Sequence, residues 1–305
     1  MIKVYKFRII LVLVIACPFF AFAQERTEQA PNKQLSQELP EQDSISAPEK
    51  RWDVNLDIAS MYIWRGQSWG GRYVAFQPSF NYALTEKWSI GVWGTTNFQN
   101  RYYENDGFTP RGYQEVDLGV TYQIMDFMSV SLWDYYWPTY ESYEGVDQSY
   151  FNYGPDGVKS VDATLEFDFS DGYQYPFNAA ISTLVGGNDY RYDDEGENPT
   201  RNFTTDVEVG YTISGIFNTI SATTLRNIDL CPTAGAVLNN QAEYYTYGDY
   251  DRVSVVNLAL NMSREFEIGG GIMMPVSVIY THNAAQSNTE VMGQNFVTAG
   301  VSFYY

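Results

Sequence analysis

Polar and apolar residues alternate with a period of two along the carboxy-terminal segment of this chain. Every second residue back from the end is apolar or aromatic, namely Tyr305, Phe303, Val301, Ala299 and Val297. The residues between them are small or carry a polar group. Because successive side chains of a β-strand point to opposite faces, this segment predicts a strand with one apolar face and one polar face.

Similar alternation recurs along the chain from Trp52 onward. Each segment has roughly the length of a tilted membrane-spanning strand, about 9–11 residues. Asp134 is an exception to the alternation, because this charged residue falls in register with Val130 and Leu132, which are predicted to face outward. Alternation alone would equally suit a soluble sandwich with one wet face. Twelve strands are predicted, at 52–64, 72–84, 88–98, 113–124, 127–137, 160–169, 176–186, 202–213, 217–227, 252–265, 270–281 and 293–305.

The lengths of the connections decide between a soluble sandwich and a membrane barrel. Short turns, such as Glu86-Lys87 and Met125-Asp126, alternate with longer loops. Short turns at one end and long loops at the other are typical of outer-membrane barrels. We therefore predict an all-β fold, a transmembrane antiparallel up-and-down β-barrel of about 12 strands over residues 52–305. The longer loops fall near 65–71, 99–112, 138–159, 187–201, 228–251 and 282–292.

The amino terminus lacks this alternation and has the pattern of an export signal. Basic residues precede an apolar run over 9–22, and Ala21-Phe22-Ala23 has the small-x-small pattern of signal-peptidase cleavage. This predicts a signal peptide over residues 1–23. Val14-Ile15-Ala16-Cys17 resembles a lipobox and would instead make a lipoprotein, but Pro18 directly after the cysteine argues against lipidation.

Residues 24–51 are rich in Gln, Glu, Pro and Ser and predict a disordered periplasmic leader. Loss of the signal peptide would change the formal charge from −19 to −22. Such acidity argues against a nucleic-acid partner. It would also leave Cys231 as the one cysteine, which excludes a disulfide within the mature chain. No cofactor and no metal site is predicted.

Residues 60–68 read Ser-Met-Tyr-Ile-Trp-Arg-Gly-Gln-Ser. This segment resembles the Ser-x-Tyr-x-(aromatic)-Arg-Gly-x-Ser signature of the TorF-like porin family, over one strand and one turn. The resemblance implies an outer-membrane barrel with a channel role, and it brings no established substrate or catalytic residues. The aromatic carboxy terminus also resembles the closing strand that the barrel-assembly machinery reads as a signal.

The distribution of charge is the strongest functional signal in the sequence. By alternation, a set of carboxylates points into the barrel and is predicted to line a pore: Asp57, Asp117, Asp162, Glu166, Asp206 and Glu208.

Arginines are instead predicted at the outer ends of strands and in outer loops. They would form a basic outer mouth, where they could also meet the phosphates of lipopolysaccharide. This set comprises Arg65, Arg72, Arg111, Arg201, Arg226 and Arg252.

Two interpretations of these charges compete. An acidic lumen below an arginine-bearing mouth would form a narrow passive channel that favours small cationic or zwitterionic solutes. Alternatively, the acids and arginines pair and hold the barrel shut. Barrels of roughly 8 strands have a lumen filled by side chains, whereas barrels of 16–18 strands contain wide pores. A barrel of about 12 strands lies between these cases, so the strand number does not distinguish a channel from a closed barrel. The excess of inward acid favours the channel.

Two further functions remain open. Long, tyrosine-rich loops suit a structural or adhesion barrel, and His282 next to Asn283 and near Ser287 supplies the residue types of a Ser-His hydrolase. No nucleophile motif surrounds His282, so an enzyme is not predicted. The expected partners are outer-membrane lipid and lipopolysaccharide, the assembly machinery and small solutes. The solute and the oligomeric state stay undetermined.

Overall fold

A computed structural model describes residues 50–99, 112–138, 145–169, 176–193, 195, 197–219, 226–239, 253–285 and 293–305. The predicted signal peptide and nearly all of the leader lie outside the described residues. So do Arg111, Arg252 and Ser287. No helix in the described part of the chain is long and apolar enough to cross a membrane.

The described residues form β-strands joined by turns and loops. In chain order the strands are β1 (Trp52–Ala59), β2 (Ile63–Trp64), β3 (Gln67–Ser68), β4 (Ala75–Ala83), β5 (Trp88–Thr96), β6 (Gln114–Met125), β7 (Met128–Tyr136), β8 (Lys159–Asp168), β9 (Phe177–Gly187), β10 (Tyr190–Arg191), β11 (Thr200–Arg201), β12 (Thr205–Tyr211), β13 (Asp229–Val237), β14 (Ser254–Arg264), β15 (Glu267–Gly269), β16 (Ile272–Met273), β17 (Val276–His282) and β18 (Asn295–Tyr304).

Twelve of these described strands form one closed antiparallel barrel, in the order β1-β4-β5-β6-β7-β8-β9-β12-β13-β14-β17-β18. The ring closes because β1 pairs with β18 as well as with β4, for example at Leu56 opposite Phe303. Three short hairpins are added to the ring: β2–β3 follows β1, β10–β11 follows β9, and β15–β16 attaches to β18. The predicted barrel fold is confirmed.

The outer face of the barrel is apolar. Residues of one parity along each strand are exposed and hydrophobic, whereas their neighbours of the other parity are polar or buried. A closed barrel with an apolar outer band is the architecture of bacterial outer-membrane proteins, because closure pairs every strand edge inside lipid. The protein is thus an outer-membrane barrel. Outward exposed side chains include Val54, Phe80, Ile90, Leu118, Leu132, Ile181, Val209, Leu260, Val278 and Val297.

The barrel has two different ends. We call the end that holds Trp52 and Tyr305 the turn end, because the short connections β4–β5 and β6–β7 lie there, and the opposite one the loop end. Aromatic rings pair at the turn end: Trp88 and Tyr122 have centroids 4.7 Å apart, and Trp52 and Tyr305 lie 6.1 Å apart. Rings with a polar tip suit the interface between lipid and water.

The ninth predicted strand was placed wrongly. Residues 217–219 and 226–227 lie in turns, and the strand is β13, inside a segment that the sequence predicted to be an outer loop. Pro232 lies within β13 and has no N–H to donate, and small residues follow it, so the segment lacks an ordinary strand pattern. As a result, Arg226 precedes β13 at the turn end and is not part of an outer mouth.

Candidate functional site

The hairpin β2–β3 folds into the barrel. Its turn is formed by Arg65 and Gly66, whose φ angles of 46° and 81° are those of a tight two-residue hairpin. A Cβ atom on Gly66 would overlap the carbonyl oxygen of Val256 on β14, so the tip of the hairpin abuts the barrel wall. Glycine at this position allows both the positive φ and the close approach.

Arg65 crosses the lumen and pairs with two carboxylates. Its Nη2 atom lies 2.9 Å from Oδ2 of Asp162 on β8, and its Nε atom lies 3.6 Å from Oδ1 of Asp206 on β12. In the ring of strands, β8 and β12 each stand five strands from β1, in opposite directions. The Arg65 side chain is 5% exposed. Breaking a pair this well buried leaves an uncompensated charge, which costs about 3–5 kcal/mol.

Side chains on both sides of Arg65 hold the hairpin in place. Trp64 packs against a buried cluster of Val237, Val256 and Ala285. Gln67 is fully buried. The hairpin therefore occupies the lumen in the loop half of the barrel and constricts it there.

All six carboxylates predicted to line a pore lie at inward positions of β1, β6, β8 and β12. Those near the hairpin, such as Asp162 and Glu208, are at most 5% exposed. Glu208 accepts a hydrogen bond from Asn257 Nδ2 at 2.8 Å. Glu166 lies nearer the turn end and Asp57 lies in the second half of β1; both are half-buried, so water reaches them.

Of the four described arginines from the predicted outer mouth, two lie at the loop end. Arg65 lies inside the barrel rather than at its rim, because its loop folds inward as a hairpin. Arg72 is exposed at the loop end. Arg201 is also at the loop end, where it donates to the carbonyl oxygen of Gly187 at 3.0 Å and to the hydroxyl of Tyr190 at 2.8 Å. These bonds fix the β10–β11 hairpin.

A wall of inward aromatic side chains on β5, β6 and β7 was not among the predicted site residues. Tyr62 and Tyr113 both donate hydrogen bonds to Oε2 of Glu115, at 3.3 and 2.9 Å, and Trp93 packs on Tyr62. Tyr135 donates to Oδ2 of Asp162 at 3.2 Å. The sequence does contain a signal for these inward residues. Tyr113 and Glu115 precede Asp117 at every second position and therefore share its inward face.

His282, the histidine of the alternative hydrolase function, points away from the lumen. His282 lies on the outward face of β17, where its Nδ1 atom is 3.0 Å from Oδ1 of Asn295. The hydroxyl of Tyr280 donates to the same oxygen at 2.6 Å. Among the described residues, no group of three or more His, Cys, Asp or Glu side chains is placed to hold a metal ion.

Comparisons with known proteins find similarities only among solved structures. No protein-family model matches this chain, so the resemblance to TorF-like porins stays a prediction. No curated protein matches either. Among solved structures, the chain is similar to the NanC porin (10% identity, TM-score 0.43, covering 83% of this chain and 98% of that one) and to the COG4313 outer membrane channel from Pseudomonas putida F1 (7%, 0.42, 88% and 99%). It is also similar to LpxR from Salmonella typhimurium (9%, 0.41, 83% and 99%). At such low identity the likeness concerns the fold alone.

Proposed function

We propose that this protein is a narrow outer-membrane channel for small cationic or zwitterionic solutes, with its constriction at the β2–β3 hairpin. The observation that carries the proposal is the imbalance of charge inside the barrel. Within the described residues, Arg65 is the one basic side chain buried in the lumen, whereas carboxylates project inward from four strands. Rings of one sign of charge in a narrow lumen favour permeation by ions of the opposite sign.

The two halves of the lumen have different roles in this proposal. The turn half contains the half-buried Glu166 and forms a hydrated vestibule that attracts cations. In the loop half, a solute passes beside the β2–β3 hairpin, whose Arg65 is held by the acids on β8 and β12. Selectivity is set where Asp206 and Glu208 stand beside Arg65.

Recording reversal potentials under a salt gradient in planar bilayers tests this function. We expect a cation preference, weakened in Asp206→Asn and Glu208→Gln because each removes one negative charge beside the constriction. Glu267→Gln is the control, since Glu267 is an exposed carboxylate on β15, outside the lumen. An anion preference in the unmodified protein would overturn the proposal.

A second function is supported by a specific observation. The buried contacts between Arg65 and the acids of the opposite wall also suit a barrel that is held shut and acts through its outer loops. The same recordings distinguish the two functions. Complete absence of conductance by correctly folded protein favours the closed barrel.

A further inference from the structure

Asp117 carries a buried carboxylate oxygen without a hydrogen-bond donor. Its side chain points inward from β6 and the residue is 5% exposed. Oδ1 has no hydrogen-bond partner among the described residues. An ionised oxygen buried in this way is costly unless a cation, a hydrogen-bond donor or a proton satisfies it.

The buried basic residues of the described chain are engaged with other carboxylates. Arg65 pairs with Asp162 and Asp206, and Lys159 pairs with Asp134 on the outer face of the barrel. Asp117 therefore faces the lumen as an acceptor that a mobile cation can satisfy.

Aromatic rings flank Asp117 on both neighbouring strands. Trp93 on β5 and Tyr135 on β7 lie directly opposite Asp117 in the strand register. Cross-strand neighbours on one face have Cβ atoms roughly 4.5–5.5 Å apart. Trp93 and Tyr135 are 7% and 9% exposed, so the surroundings of Asp117 exclude most water.

Trp133 adds a flat ring to the same wall. A Cβ atom added to Gly119 would overlap the indole of Trp133, and one added to Gly91 would meet the same ring. The indole therefore lies flat against the glycine backbone of β5 and β6, diagonal to Asp117. Trp133 is partly exposed and packs against the buried cluster of Tyr62, Ala75, Trp93 and Tyr113.

We propose that Asp117, Trp93, Trp133 and Tyr135 form a binding site for a small organic cation of the alkylammonium class. The carboxylate supplies the opposite charge, and the ring faces attract a cation with apolar substituents through their quadrupoles. A divalent metal ion fits poorly, because calcium takes 6–8 oxygen ligands and one orphaned carboxylate among rings does not supply them. The inference names a solute class for the proposed channel, and it rests on that function for how the cation reaches the site.

Titration of the purified full-length protein in detergent with tetramethylammonium chloride tests the site, by calorimetry and by tryptophan fluorescence. We expect saturable binding that becomes about tenfold weaker in Asp117→Asn and weaker also in Trp133→Leu. Asp53→Asn is the matched control, because Asp53 faces inward at the turn end and accepts its hydrogen bond from Asn81. Its affinity should equal that of the unmodified protein.

Equal affinity of Asp117→Asn and the unmodified protein would overturn the site, as would an absence of binding by the unmodified protein. A gel-mobility difference between heated and unheated samples identifies variants that have formed the barrel. If Asp117→Asn does not form it, Trp133→Leu carries the test, with equal affinity again overturning the site. Binding without conductance in bilayers would overturn the channel and support the site, whereas conductance without binding would do the reverse.

Discussion

The Nζ atom of Lys159 lies 2.6 Å from Oδ2 of Asp134, on the outward face of the barrel at the loop end. The hydroxyls of Tyr150 and Tyr153 donate to the same carboxylate oxygen, each at 3.1 Å. Lys159 Nζ also lies 3.3 Å from the centroid of the Tyr150 ring. The loop before β8 therefore covers an ion pair that would otherwise face the membrane, and this explains how Asp134 occupies an outward position of β7.

Removing one member of this ion pair should destabilise the barrel more than removing both. Lys159→Met leaves the Asp134 carboxylate without its cation, and we expect the free energy of unfolding to fall by about 3 kcal/mol. Lys159→Met combined with Asp134→Leu should recover most of the loss. Denaturant unfolding in lipid vesicles measures both variants. A single variant as stable as the unmodified protein would show that the pair contributes nothing.

Gly66→Ala should loosen the hairpin. The added methyl group overlaps the carbonyl oxygen of Val256, and the φ angle of 81° disfavours alanine. We expect a loss of more than about 1 kcal/mol in the free energy of unfolding. Gly145→Ala is a matched control, because Gly145 has the same φ angle and nothing within 4 Å of the added atom. An equal loss in both variants would mean that the hairpin tip does not touch β14.

Asp189 should make stability depend on pH. This residue follows β9 at the loop end and accepts hydrogen bonds from the backbone N–H and the hydroxyl of Thr204, at 2.8 and 2.6 Å. Burial raises the pKa of its carboxyl above the ordinary value. Because the pKa is higher in the folded state, the protonated carboxyl of Asp189 contributes to the free energy of unfolding. This contribution is complete below the pKa of the unfolded state, about 4, and is lost as the pH rises through the pKa of the folded state.

Asp189→Asn imitates the protonated carboxyl and should remove this dependence. The melting temperature of the variant minus that of the unmodified protein should therefore increase as pH rises from about 4 to about 7. Melting curves followed by circular dichroism at several pH values measure the difference. A difference that shrinks over the same range would contradict the assignment.

The sequence predicted the barrel because alternation is a local property. In β18, residues from Val297 to Tyr304 follow the predicted parity, with the apolar set facing outward. Asp134 already appeared as an exception in the sequence, and Lys159 pairs with it from the next strand. The same local criterion failed for β13, where Pro232 and a run of small residues obscure the pattern.

The arrangement of the candidate site could not be predicted in the same way. Arg65 and Asp162 are separated by 97 residues, and their contact depends on the hairpin folding inward across the ring. Alternation predicts which face of a strand a side chain occupies, but it contains no information on whether a loop enters the lumen. The orphaned oxygen of Asp117 likewise depends on contacts between three strands.

Single-channel recording of Arg65→Ala beside the unmodified protein tests whether Arg65 and its hairpin form the constriction. We expect a low conductance with cation preference for the unmodified protein. In Arg65→Ala, loss of the positive charge and of the hairpin's ion pairs should raise the conductance several-fold and strengthen the cation preference. Unchanged conductance and selectivity, with the barrel folded, would contradict a constriction formed by Arg65.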